Sequence, residues 1–355
     1  MSNLEAQPAE VGCRTVAQNA VAQNSSAQNS SAQNSSGEKR RPLRAEVLTA
    51  RDVPLGGPRA MTVHRTVPQR SRSLIGAWCF ADHYGPDDVS VTGGMDVPPH
   101  PHTGLQTASW LFTGEIEHRD TMGNHAMVRP GELNLMTAGH GIAHTEVSTP
   151  DTTVLHGVQL WIALPADAVD TPRDFAHYAP PLVTVGEVTA RVFLGELLGS
   201  TSPVHTFTPL LGAELHLPAG AEIALDVRDD FEHGFLVDSG RVDIVDSTAP
   251  TIERTQLGYV GLGASTIALR NRAEGAARIV VLGGAPLNEN IVMWWNFIGR
   301  SHDDIVAFRE EWMAHSERFG QVQGYTGEIQ HLPAPTLPGT RLRARENVPG
   351  RAQEG

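Results

Sequence analysis

Cysteine is scarce in this chain of 355 residues, which has only Cys13 and Cys79, and Cys13 lies in a polar tail. A structural disulfide is therefore not expected, and a reducing compartment such as the cytoplasm is. Long apolar runs are missing too. No segment approaches the ~20 residues that span a bilayer, and the N-terminus lacks the apolar centre of a secretory signal, so no membrane partner is expected. Positive charge is in short supply: 27 Lys and Arg stand against 40 Asp and Glu, a formal net charge of −13, and Lys39 is the one lysine. An acidic surface repels phosphate backbones, and the run Lys39-Arg40-Arg41 is too short to reverse that, so direct nucleic-acid binding is not expected. Neither a glycine-rich phosphate loop nor a nucleophile elbow is present.

Turn-forming residues, by contrast, are abundant. The 35 Gly and 24 Pro punctuate many short segments rich in Val, Leu, Thr and Phe, the texture of an all-β fold with tight turns. Residues 1–42 form a low-complexity tail in which Ala-Gln-Asn-Ser-Ser occurs at 22–26, 27–31 and 32–36; it is too polar to bury a core and is expected to be disordered. From 43 to 170 strand signals are dense, at 108–112, 116–118, 127–128, 133–137 and 154–164. Turns such as Thr113-Gly114-Glu115 and Arg129-Pro130-Gly131 separate them. Residues 171–181 read as a linker. A second strand-rich block follows, with candidate strands at 214–217, 222–227, 234–237, 241–245 and 278–282. Two blocks of similar size and turn chemistry predict a duplicated barrel, the second domain running from 171 to 320.

One helix is expected near the end. Ser301 and Asp304 make a pair of capping-box type, and Ile305, Phe308 and Trp312 recur at helical spacing. With Trp294, Trp295 and Phe297 just before it, this helix should pack on a barrel exterior. Residues 321–355 read as an extended surface arm or partly disordered.

The stretch that carries chemistry is Pro99-His100-Pro101-His102-Thr103-Gly104, answered by Gly141-Ile142-Ala143-His144-Thr145-Glu146. Residues two apart on a strand share a face, so His100 and His102 aim into one space, as do His144 and Glu146. Adjacent strands would gather them as four nitrogen and oxygen donors. Such a set suits Fe(II), Mn, Zn, Ni or Cu, and the lack of nearby thiolates argues against a structural zinc site.

The order and spacing of these motifs resemble the pirin family, bicupins with two tandem jelly-roll β-barrels. The residues that carry the likeness are His100, Pro101 and His102; then Glu117, His118, Arg119 and Asp120, with Gly123 and Asn124; and then Met136 to Gly139, Gly141, Ile142, His144, Thr145 and Glu146. Trp295 to Arg300 and His302 add to it. The likeness covers roughly 45 to 320 and is stronger in the first block. It implies metal ligation by His100, His102, His144 and Glu146, with one divalent ion, iron(II) first among the candidates. It also implies one of two roles. The first is a dioxygenase of quercetinase type acting on a small planar oxygenated substrate, with Glu146 as catalytic base when it leaves the metal. The alternative is a non-enzymatic, redox-responsive regulator that binds a protein partner.

Departures from the family pattern concern the pocket. Gln106 stands where many cupins carry a Glu, and Thr103 and His140 replace basic residues. Among the remaining histidines, His118 is read either as a partner behind the ligands or as structural. His125 is read as exposed, and His64, His83 and His156 as structural. His205, His216 and His233 show no paired spacing, so the second barrel is expected to hold no metal.

Overall fold

The computed structural model describes residues 42–55, 61–344 and 347–352; the repeat-bearing tail and Cys13 lie outside them. A seven-stranded sheet faces a four-stranded sheet in the first barrel. The larger runs in the order Asp174–Tyr178, Leu133–Thr137, Leu105–Thr113, Val154–Ala163, Trp78–Asp88, Met61–Val67, Arg51–Leu55. The smaller runs Asp96–His102, Ile142–Ser148, Ile116–Asp120, His125–Val128. Two tandem β-barrels followed by a helix are thus in place, as the strand and turn signals predict.

The second barrel repeats the plan. Its seven-stranded sheet runs Ala45–Leu48, Leu257–Val260, Glu232–Ser239, Ala277–Gly284, Leu210–Leu217, Val188–Leu194, Val183–Val185. A three-stranded sheet, Glu222–Asp226, Thr266–Asn271, Val242–Ile244, closes it. By sheet position, Glu222–Asp226 and Thr266–Asn271 stand where Asp96–His102 and Ile142–Ser148 stand in the first barrel. Their inward residues are Ile223, Leu225, Ile267 and Leu269, all buried in the barrel core. Alternation explains the pattern, since every second residue of a strand faces the lumen.

The two seven-stranded sheets pack back to back. Trp78, Phe80, Trp110 and Leu160 from the first meet Phe193, Leu210, Leu236 and Leu282 from the second in one apolar cluster. Each such side chain removed from water contributes about 1.5–3 kcal/mol. Polar atoms cross the seam as well: Trp78 Nε1 donates to Gly283 O at 3.0 Å, and Trp110 Nε1 donates to Glu214 Oε2 at 2.8 Å.

Two segments depart from the sequence reading. Residues 171–181, expected as a linker, contain the strand Asp174–Tyr178, which pairs with Leu133–Thr137 and extends the first barrel's larger sheet. Ala45–Leu48, expected within the first domain, pairs instead with Leu257–Val260 of the second barrel. Both are short strands at sheet edges, chosen by an open partner edge that local composition does not reveal.

The helix spans His302–Met313, with Ser301 as N-cap and both halves of the capping box formed with Asp304. Ile305 and Trp312 are buried, packed with Trp294, Trp295, Phe297 and Phe319 against the first barrel. The C-terminal arm is held more firmly than a surface arm would be. Ala334 and Leu342 are buried beside that helix, and Ala352 is buried in the core of the second barrel.

Candidate metal centre

The chemistry-bearing motifs fall on paired strands of the four-stranded sheet. His100 lies directly opposite His144, and His102 opposite Ile142. The strand Asp96–His102 tolerates Pro98, Pro99 and Pro101 because it is the edge of its sheet, where missing N–H donors cost little. Gly104 then reverses the chain at φ +67°, and a Cβ there would meet the Ile298 carbonyl oxygen at 2.5 Å. That close approach brings the segment before the helix against the ligand strand. Ile298 N donates to Thr103 O at 3.1 Å.

His100, His102 and His144 are buried, and their ligating atoms lie within 4.8 Å of one another. The partners of the other ring nitrogens fix the tautomers. His100 Nδ1 is 2.8 Å from Pro98 O, and His102 Nδ1 is 3.2 Å from Asn296 O. A carbonyl only accepts, so both Nδ1 atoms carry the proton and both Nε2 atoms present bare lone pairs. His144 Nδ1 is 3.3 Å from His118 Nδ1, and His118 Nε2 is 3.4 Å from Asp120 Oδ2. Asp120 is held below the usual carboxylate range. Burial works to raise it, but hydrogen bonds from His118 and Asn124 prevail. The ionised Asp120 therefore accepts a hydrogen bond from His118 Nε2–H, leaving His118 Nδ1 to accept from His144. His144 Nε2 is then bare as well.

Bare lone pairs thus converge, with His102 Nε2 and His144 Nε2 only 3.1 Å apart and His100 Nε2 buried without a hydrogen-bond partner among the described residues. Protonation does not relieve the crowding. Burial lowers His100 to about 4 and pushes His102 and His144 well below the ordinary histidine value, and the neighbouring rings push His102 and His144 further. Neutral imidazoles with facing lone pairs are what a cation would join, so the residues present fit a metal ion.

Glu146 shares the lumen and is buried; the Ser109 hydroxyl, with one proton to give, lies 3.2 Å from Glu146 Oε1 and 2.9 Å from Gln159 Oε1. It lies outside the tight group of three histidines. Tyr84 is buried, with no hydrogen-bond partner for its hydroxyl among the described residues; burial, and after it the Glu146 charge, raises it well above the normal phenol value, so it stays protonated. The edge of Trp161 meets the His102 ring at 5.1 Å, and Phe175 lies 4.9 Å from His118.

Strand alternation sorts the other residues that the motifs single out. Gln106 alternates with Thr107 and Ser109, and Ser109 reaches Glu146, so Gln106 faces away from the lumen and donates to Thr137 Oγ1 at 2.9 Å. The pocket position assigned to Gln106 thus belongs to its neighbour Thr107. Thr103 and His140 line a small cavity of about 210 Å³ next to Arg300 and Arg318. His118 is the partner behind His144, His125 is exposed, and His64 bonds Asp52 at 2.7 Å. His83 and His156 do what no sequence spacing announced: both converge from the first barrel on Asp238 Oδ1 of the second, at 2.6 and 2.5 Å. Together they make a latch across the seam, and they form a second buried group of candidate metal ligands, with ligand atoms within 4.8 Å of one another. Arg278 Nη1 adds a bond to Asp238 Oδ2 at 3.1 Å. In the sequence Asp238 is simply part of a turn, and Tyr84, Ser109 and Gln159 carry no motif; only their lumenal place reveals them.

The family model described as Pirin matches residues 60–162, and that described as Pirin C-terminal cupin domain matches 212–320. The chain is 42% identical over 293 residues to a Pseudomonas aeruginosa protein named "Putative quercetin 2,3-dioxygenase PA1205", covering 82% of this chain and 90% of that one. It is similar to a solved quercetin 2,3-dioxygenase from Acinetobacter baumannii, with a TM-score of 0.78 and 36% identity, covering 85% of this chain and 98% of that chain. A bacterial pirin from Escherichia coli, solved in complex with nickel(II), shares the fold at a TM-score of 0.53 and 16% identity, covering 68% of this chain and 99% of that chain.

Proposed function

The chain belongs to the pirin family of two-barrel cupins, and from that premise we propose that its first barrel holds one divalent metal ion, iron(II) in the native protein, and oxidises a small planar oxygenated substrate with dioxygen. His100, His102, His144 and Glu146 are the ligands in this reading. The observation that carries it is the 3.1 Å approach of two neutral ring nitrogens, His102 Nε2 and His144 Nε2, whose protons sit on the far side of each ring. Nickel in the Escherichia coli relative agrees with the donor types. When bound, the metal supplies Lewis acidity and a redox couple beside the substrate.

The chain's own residues then have distinct tasks. Asp120 and His118 orient the His144 ring from behind. Glu146, when it is not ligating, takes the proton from a substrate hydroxyl, with the Ser109 hydroxyl 3.2 Å from its Oε1. Tyr84, kept protonated, offers a hydrogen bond to the developing oxyanion. Iron-loaded protein incubated with quercetin under oxygen should consume the flavonol and release carbon monoxide, and Glu146→Gln should slow turnover by about 10²-fold or more. A fully metal-loaded protein that leaves quercetin intact sinks the enzymatic reading. The regulatory alternative would then be examined by comparing partner pull-downs from wild type and a His100→Ala, His102→Ala double variant.

A further inference from the structure

The second barrel has its own polar anomaly. His233 opens the lumenal row continued by Phe235 and Val237, and its imidazole is fully buried. Neither ring nitrogen has a hydrogen-bond partner among the described residues. The space for this ring is provided by Gly283, paired opposite it, where a Cβ would meet Leu211 Cβ at 3.2 Å and His233 Cδ2 at 3.3 Å. A buried polar group without partners is costly, so a lumenal imidazole kept in that state points to something that bonds it.

His233 also lines a cavity of about 700 Å³ at the open end of the barrel, beside the edge strand Glu222–Asp226. That size lies within the range of small-molecule sites. Leu197, Leu211 and Phe231 give it apolar walls, and Glu196, Thr201, Asp226 and Arg228 line it with exposed polar groups. Among the described residues no free cation reaches the interior. Arg228 is held by both oxygens of Asp230, at 2.9 and 2.6 Å, and lies over the Phe231 ring at 4.5 Å. Burial lowers His233 to about 4, outweighing the pull of Asp230, so the ring is neutral and offers one donor and one acceptor.

We propose that the second barrel is a binding site for an uncharged compound with a one- or two-ring apolar body and a hydroxyl group that hydrogen-bonds His233. Against Leu197, Leu211 and Phe231 a charged ligand would lose its hydration, and the carboxylates that line the cavity, Glu196 and Asp226, are exposed and stay in water. A hydroxyl can both give and take a hydrogen bond, so it matches either tautomer of the ring.

The probe is 2-naphthol, titrated into the full chain with histidine ring nitrogens followed by NMR. The expected result is a saturable shift of the His233 resonances, assigned by their loss in His233→Leu, with affinity in that variant at least tenfold weaker. Thr201→Trp, at an exposed position on the cavity wall, should block the space without disturbing the core and also weaken binding at least tenfold. The proposal is overturned by an absence of saturable change at His233, by shifts confined to His100, His102 and His144, or by wild-type affinity in both variants.

Discussion

The two barrels share strand order and differ in what their ligand strands point inward. In the first, the facing pair Asp96–His102 and Ile142–Ser148 presents His100, His102, His144 and Glu146; in the second, the corresponding pair presents Ile223, Leu225, Ile267 and Leu269. The hydrogen-bonded framework is indifferent to the exchange. Imidazoles demand partners behind them, and the first barrel supplies the Pro98 and Asn296 carbonyls and the His118–Asp120 pair. Aliphatic side chains demand only close packing, and the second barrel supplies that. In the proposed reading, a metal centre in this architecture is a set of four side chains together with three supports, laid on a barrel that stands without them.

The sharpest way to break the comparison is metal analysis. His144→Ala, or His100→Ala with His102→Ala, should take bound metal from about one equivalent to near none, because the second barrel's corresponding positions carry no donor atoms. Retention of a full equivalent in those variants would mean that the donors lie elsewhere. Next in size is the seam. Asp238→Ala leaves His83, His156 and Arg278 without their common acceptor and should cost about 3–5 kcal/mol in denaturant unfolding, with metal content unchanged. A loss below about 1 kcal/mol would show the latch to be dispensable.

Acid should act on the same seam. Asp238 is held below its ordinary value, since the His156 and His83 hydrogen bonds outweigh the burial that works to raise it; His83 is lowered because burial outweighs Asp238. Both groups bind protons more readily in the unfolded chain. Their stability is fully present above about pH 6.5, the unfolded histidine value, and declines first as His83 charges and further below about pH 3.9, where unfolded Asp titrates. Asp238→Asn should flatten the acid limb of a stability–pH profile, and an unchanged slope would count against this assignment. The smallest effect is expected at Gln106. Because its side chain faces away from the lumen, Gln106→Met should leave metal content unaltered and shift stability by about 1 kcal/mol through the lost bond to Thr137.

Much of the first barrel was legible because strand alternation converts spacing into geometry. His-x-His and His-x-Glu can only face one way, and Leu133–Thr137 begins and ends where its turn residues predict. The capping box at Ser301 was equally local. The features that spacing does not reveal depend on distant partners. Asp238 follows a strand and precedes Ser239-Gly240, a normal turn setting, yet it is buried because two histidines from the other barrel arrive there. The position of Gln106 follows from counting along a motif, and a count off by one turns a side chain to the opposite face. His233 stands alone in the sequence, and only the cavity around it gives it meaning.

The pairing of Ala45 with Val260 has a consequence for assembly. Ala45–Leu48 is made on the ribosome before either barrel, but its hydrogen-bonding edge, Leu257–Val260, emerges after the whole first barrel and most of the second. Its backbone donors must wait in water while the first barrel is synthesised. Contacts of such long sequence separation close late because the loop entropy must be met first. Folding should therefore end with this strand, so the first strand to be synthesised among the described residues is among the last to find its place.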